Sequence, residues 1–217
     1  MGNLPLKWPT AGSLYDDFNN SAFDGGWNTG LWSDTSYPGI TSIKQESGSL
    51  IISRQSPESS ILRSLRPGKW TIDQLGFVEA KVMLDSNIKA SSGSVGIGID
   101  NFTSPTWWLF CEISSRLGDV EAWANCKTDE DASVHGIYSA NGLSVQYNTW
   151  HTMRFEINPD TAAILFYIDD QQIGSFIPIA PETFKETQFS LLLNVHSKDG
   201  GLVTGYFDDV RVGQFGQ

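Results

Sequence analysis

The chain is poor in positive charge, in cysteine, in histidine and in long apolar runs. Fourteen lysines and arginines stand against 25 aspartates and glutamates, for a formal net charge of −11. That balance argues against nucleic acid and against anionic membrane surfaces as partners. No apolar stretch approaches the roughly 20 residues of a membrane span. The opening Met1-Gly2-Asn3-Leu4-Pro5 has no basic stretch followed by an apolar one, so no signal peptide is legible there and export is left open. Two cysteines are too few for a disulfide scaffold or a zinc centre. His135, His151 and His196 lack metal-ligand spacing. No serine sits in a Gly-x-Ser-x-Gly elbow, so a Ser-His-Asp triad is not indicated. Helical periodicity is nearly absent.

Aromatic residues and strand-length alternation are plentiful. Aromatics make up 12% of the 217 residues, with 8 Trp, 12 Phe and 6 Tyr. Hydrophobic residues reach 40% against 18% charged, enough for a sizeable core. Alternating runs separated by Gly, Asn, Asp, Pro and Ser predict strands at 49–54, 60–65, 76–84, 94–100, 107–115, 120–127, 150–158, 162–168, 171–177, 188–196 and 205–212. In 76–84, Val78, Ala80, Val82 and Leu84 point one way and Phe77, Glu79, Lys81 and Met83 the other. Val95, Ile97 and Ile99 alternate with Gly96, Gly98 and Asp100. So many short strands mean a β-sandwich or barrel. No linker or repeat divides the chain, so residues 1–217 are read as one domain. The longest loops fall at Asn19–Pro38 and Asp129–Gly142, lengths that often shape a site.

The most informative segment is the hairpin from Trp107 to Cys126. Gly118-Asp119 suits a two-residue turn with φ > 0 at its first position. Counting outward pairs Leu117 with Val120, Ile113 with Ala124 and Cys111 with Cys126. One face then carries Leu109, Cys111, Ile113, Ala122, Ala124 and Cys126, a core face. The other carries Trp108, Phe110, Glu112, Ser114, Glu121, Trp123 and Asn125. Indole stacks on the apolar face of a sugar ring, and carboxylate and amide groups bond its hydroxyls. The competing reading is that long loops cover both tryptophans as a second core. In this register the cysteines occupy a hydrogen-bonded pair, where Cα atoms are wider apart. A disulfide and two buried thiols both remain open.

Several segments resemble a known superfamily. Leu14-Tyr15-Asp16-Asp17-Phe18-Asn19, with Trp27 and then Ser47-Gly48-Ser49-Leu50-Ile51-Ile52, is similar to the start of concanavalin A-like lectin/glucanase domains. Trp150-His151-Thr152-Met153-Arg154-Phe155-Glu156, with Phe166-Tyr167-Ile168-Asp169-Asp170, resembles their Trp-His-Thr-x-Arg hairpin. Gly205-Tyr206-Phe207-Asp208-Asp209-Val210-Arg211-Val212 resembles their last strand. The resemblance implies an all-β jelly-roll sandwich of two antiparallel sheets, one of them concave. It spans lectins, binding modules, laminin G-like domains, hydrolases and lyases, so it does not settle function.

Three functions follow as expectations. The first is a non-catalytic polysaccharide-binding domain, exported to the cell surface or beyond and working beside a catalytic domain in a longer chain. Its surface would hold Trp108, Glu112, Trp123 and Asn125, joined by Asn194 and His196 if their strand is a neighbour. Gly96 and Gly98 would leave room for the ligand near the backbone. The second is a glycoside hydrolase or polysaccharide lyase. Glucanases of this superfamily carry a Glu-x-Asp-x-(x)-Glu run on one strand, and none occurs here, so Glu112 would need a cross-strand partner such as Glu79, Asp100 or Glu121. The third is a laminin G-like protein-interaction domain. No cofactor is called for. A structural Ca²⁺ near Asp17 and Asp208 is weighed against aspartates that merely accept backbone hydrogen bonds, and the second is favoured. His151, on the apolar side of its strand, is read as a core histidine.

Overall fold

Period-two alternation becomes strand wherever it occurs. The computed structural model describes residues 12–65, 69–101, 107–130 and 137–213. Along the chain the strands are β1 (Ser13–Asp16), β2 (Trp32–Asp34), β3 (Thr41–Glu46), β4 (Ser49–Arg54), β5 (Glu58–Ser64), β6 (Phe77–Leu84), β7 (Ser92–Asn101) and β8 (Trp107–Arg116). They continue as β9 (Ala122–Glu130), β10 (Ile137–Ser139), β11 (Leu143–Val145), β12 (His151–Ile157), β13 (Ile164–Ile168), β14 (Gln171–Phe176), β15 (Ser190–Ser197) and β16 (Val203–Gly213). Among the described residues there is one α-helix, α1 (Pro181–Glu186), seated by the buried Phe184.

Two antiparallel sheets of eight strands form the sandwich. The first runs β14-β13-β12-β6-β16-β4-β3 with β1 added on β16, and the second runs β10-β9-β8-β7-β15-β5-β2 with β11 added on β9. The facing sides meet in one apolar core. Val78, Ala80, Val82 and Leu84 bury from the first sheet; Val95, Ile97 and Ile99 bury from the second, as their alternation predicts. What the sequence reading missed is short and weakly patterned. Thr41-Ser42-Ile43-Lys44-Gln45-Glu46 holds a single aliphatic residue, so β3 owes its existence to pairing with β4.

The hairpin register is the predicted one: Cys111 faces Cys126 and Ile113 faces Ala124. Two local details differ. Asp119 N donates to Arg116 O at 3.1 Å, so the turn centres on Leu117-Gly118, with Gly118 at φ +93° in the third position. The cysteines form a disulfide with Cα atoms 4.0 Å apart, which corrects their assignment to the wider type of pair. Of the acidic run Asp129-Glu130-Asp131, read as a solvated loop, the first two belong to the end of β9; Asp131 and His135 lie outside the described residues. The segment 19–38 contains β2, whose Trp32 is core.

Candidate functional site: a cleft on the outer face of the second sheet

Alternation puts every second residue of β5, β15, β7, β8 and β9 on the outer face of the second sheet, and the register sorts them into rows that cross the strands. One row reads Ser59, His196, Ser94, Ser114 and Trp123. The next reads Ile61, Asn194, Gly96, Glu112 and Asn125. A third reads Arg63, Leu192, Gly98, Phe110 and Lys127, and beyond it Asp100 stands beside Trp108. Most of their side chains, Trp108, Glu112, Trp123, Asn194 and His196 among them, line a cleft of about 950 Å³, with Asn125 on the same face outside it. The six residues expected on a sugar-facing surface therefore share one face, with β15 joined to β8 through β7.

Trp123 is 49% exposed, so among the described residues no loop covers it as a second core. Its seat is set by Gly142, where an added Cβ would lie 2.1 Å from the indole Nε1 and 2.8 Å from the Ala124 carbonyl oxygen. Only glycine lets that segment pass so close to the ring. Trp108 is half-buried. Gly96 and Gly98 do not leave space for a ligand. Cβ atoms there would collide with the Glu112 side chain and with the Phe110 ring, so the two glycines admit those neighbours instead.

Charge on the floor is matched in pairs. Glu112 is ion-paired with Lys127 and Asp100 with Arg63. Burial pushes the Asp100 carboxyl above its ordinary range, while Arg63 pulls the other way. Burial holds the His196 imidazole below its ordinary value, against the pull of Glu58 and Glu112, and its Nδ1 lies 3.2 Å from Ser59 Oγ. Asn125 and Asn194 each keep a buried side-chain oxygen with no protein partner. Each such oxygen costs about 1–3 kcal/mol unless something bonds it. Lys127 was absent from the sequence reading. It sits diagonally to Glu112 across the β8–β9 pairing, a contact the hairpin register already implied. Tyr37, from the segment beside β5, and Glu58, at the start of β5, also line the cleft and were missed.

Glu79 is not part of this site. It lies on β6 in the other sheet, on the outward side, ion-paired with Arg154 at 3.4 Å. The two sheets separate it from Glu112, which corrects the proposed pairing. Glu121 instead accepts hydrogen bonds from Ser144 and Gln146. His151 is buried with both ring nitrogens near acceptors, Asp169 Oδ2 at 2.7 Å and Gln146 O at 3.4 Å, as a satisfied histidine should be.

The aspartates of β1 and β16 are neighbours but do not fit a calcium site. Asp16 accepts from Trp32 Nε1 at 2.7 Å and from Phe18 N at 3.0 Å. Asp17 accepts from Asn19 N at 3.1 Å, Asp208 from Asp209 N at 2.7 Å, and Asp209 pairs with Lys81 at 2.6 Å. Their oxygens are engaged with the backbone, an indole and a lysine. Among the described residues no three potential ligands come together.

No family model and no curated protein sequence matches the chain. Solved structures do. A non-specific endo-β-1,3(4)-glucanase of family GH16 matches with a TM-score of 0.70 at 15% identity, over 98% of this chain and 95% of its own. LamAcat from Zobellia galactanivorans matches with a TM-score of 0.68 at 16% identity, over 95% of this chain and 98% of its own. The fold is that of the concanavalin A-like lectins and glucanases. The β-glucanase of Bacillus licheniformis covers 95% of this chain and 100% of its own at 19% identity, with a TM-score of 0.62. A LamA variant of Z. galactanivorans with the same fold was solved with laminaritriose and laminaritetraose. The fold is thus shared over almost the whole chain.

Proposed function

We propose that the chain binds a polysaccharide in the cleft of its second sheet and does not hydrolyse it. The observation that carries this reading is Trp123, half-exposed beside a polar floor that contains Asn194, whose buried side-chain oxygen has no protein partner. An indole face beside hydrogen-bonding side chains is the surface a pyranose ring fits. Trp108, Glu112 and His196 add contacts along the same floor. Oligosaccharides bound to a structural neighbour support carbohydrate as the ligand class. The disulfide supports an oxidising, exported location. The chain acts as one domain in this reading, and a catalytic domain in a longer parent chain would supply chemistry.

The placement of the carboxylates on β7 and β8 argues against hydrolysis. On the cleft side β8 presents Trp108, Phe110, Glu112 and Ser114, a single carboxylate. Asp100 stands four residues along β7 from Gly96, the partner of Glu112. At about 3.3 Å per residue the two positions are roughly 13 Å apart along the strands. Glycosidases hold their pair at about 5–5.5 Å or about 6.5–9.5 Å. Both carboxylates are also held by cations rather than left to act as acid or nucleophile. The second reading, an endoglycosidase built on Glu112, is favoured by the activity named for several structural neighbours.

A pull-down on laminarin, mixed-linkage β-glucan, xylan, mannan, cellulose and chitin, with released reducing ends assayed in the supernatant, separates these readings. Retention without release is the expected result. Release that disappears in Glu112→Gln would replace it with the hydrolase, and retention on no polymer would remove carbohydrate altogether.

A further inference from the structure

The first row of the cleft floor ends in an exposed aromatic on both sides. Trp123 is one. Tyr37 is the other: it is 53% exposed, lines the cleft, and its N–H donates to Ser59 O at 3.0 Å. That bond sets Tyr37 one strand spacing beyond β5. Ser59, His196, Ser94 and Ser114 lie between the two aromatics, all small or polar side chains. With strands about 4.8 Å apart, five spacings put Tyr37 roughly 24 Å from Trp123 along the sheet.

Tyr37 lies in a loop between β2 and β3, followed by Pro38 and Gly39, and needs an external hold. Arg54 supplies it. This arginine is fully buried, and its guanidinium bonds backbone carbonyls. Nη1 donates to Tyr37 O at 2.8 Å and Thr41 Oγ1 at 2.9 Å. Nη2 donates to Pro38 O at 3.0 Å and to Pro57 O, and Nε donates to Ser56 O at 2.9 Å. A buried cation is tolerated only when its donors are met, so this planar fork ties the 37–41 and 56–58 segments into one unit. Tyr37 and Glu58, which both line the cleft, ride on that unit.

We propose that Tyr37 is a second stacking platform, that the ligand crosses the strands from Trp123 to Tyr37, and that Arg54 is the positioning residue for the far platform. The ligand is then an extended glycan chain rather than a mono- or disaccharide. This rests on the carbohydrate-binding reading above and adds the direction of the chain and its minimum length.

The test is calorimetry with an oligosaccharide ladder, disaccharide to octasaccharide, cut from the retaining polymer, with mixed-linkage β-glucan first. Affinity should rise with length until a chain reaches both aromatics. Tyr37→Ala should lose about tenfold on the long members, the size of one stacking contact, and leave the short ones bound at Trp123 unchanged. Arg54→Lys, checked for an intact fold by circular dichroism, should reproduce that length-dependent loss. A merely structural arginine would instead weaken all lengths alike. Tyr37→Ala with unchanged affinity at every length, while Trp123→Ala weakens binding, overturns the second platform and leaves the carbohydrate reading standing. A wild-type chain that binds no member of any ladder and no polymer overturns both.

Discussion

Trp123→Ala separates a ligand platform from a core residue, and its size can be worked from the exposure of the side chain. A tryptophan side chain carries about 200 Å². Half of it is packed on the Gly142 segment and the sheet, and half faces the cleft. Covering the open half with a sugar ring removes about 100 Å² from water, worth at most about 2.5 kcal/mol at 25 cal per Å². Ordering the ligand consumes part of that. The expected loss of affinity is therefore about 10- to 60-fold. The packed half is worth a similar amount to folding, so the melting temperature should fall by about 5–10 °C while the fold persists. Affinity electrophoresis in polysaccharide gels measures the first and circular dichroism the second. Trp123→Phe should recover most of both. Unchanged mobility in the gel, with the fold intact, would refute the assignment of the exposed half to a ligand.

Cys111→Ala/Cys126→Ala removes a cross-link spanning 15 residues, which a chain-entropy argument values at about 3 kcal/mol. Chemical denaturation should show that loss, and a change under about 1 kcal/mol would mean that the hairpin already holds the two strands together in the unfolded chain. His196 has a folded-state pKa below its unfolded value, so it binds protons less readily when folded. Its contribution to stability is present above about pH 6.5 and is lost as pH falls toward the lowered value. His196→Gln should therefore flatten the decline of melting temperature just below pH 6.5 relative to the parent chain, and parallel curves would refute the shift. EDTA, or added Ca²⁺, should leave the melting temperature within about 1 °C, because a stabilising ion would raise it by mass action. A larger change would show that Asp17 and Asp208 bind calcium despite their other partners.

Alternation is enough to find the strands that carry the cleft, and the hairpin register alone places Trp108, Glu112, Trp123 and Asn125 on one face. The same period-two rule works because a strand's neighbours on a face are its own residues two apart. It fails for β3, which is polar, and for β11, which is only three residues long; both exist by pairing, with β4 and β9. It also fails for Tyr37, whose loop is held by hydrogen bonds to a buried arginine that no local pattern announces.

Within the sequence lay the all-β class, the faces of each long strand, the register of the β8–β9 hairpin and the acidic charge that argues against nucleic acid. These depend on local geometry and composition, which a linear chain carries with it. Strand order was decided only in three dimensions, because pairing between distant strands depends on which faces bury against each other across the whole core. That order moved Glu79 to the opposite sheet, brought Asn194 and His196 onto the face of Glu112, and let Arg63 pair with Asp100. It also filled the space above Gly96 and Gly98 with neighbouring side chains and set two exposed aromatics at opposite ends of one row. Which residues form a face is a local property; what stands next to that face is a tertiary one.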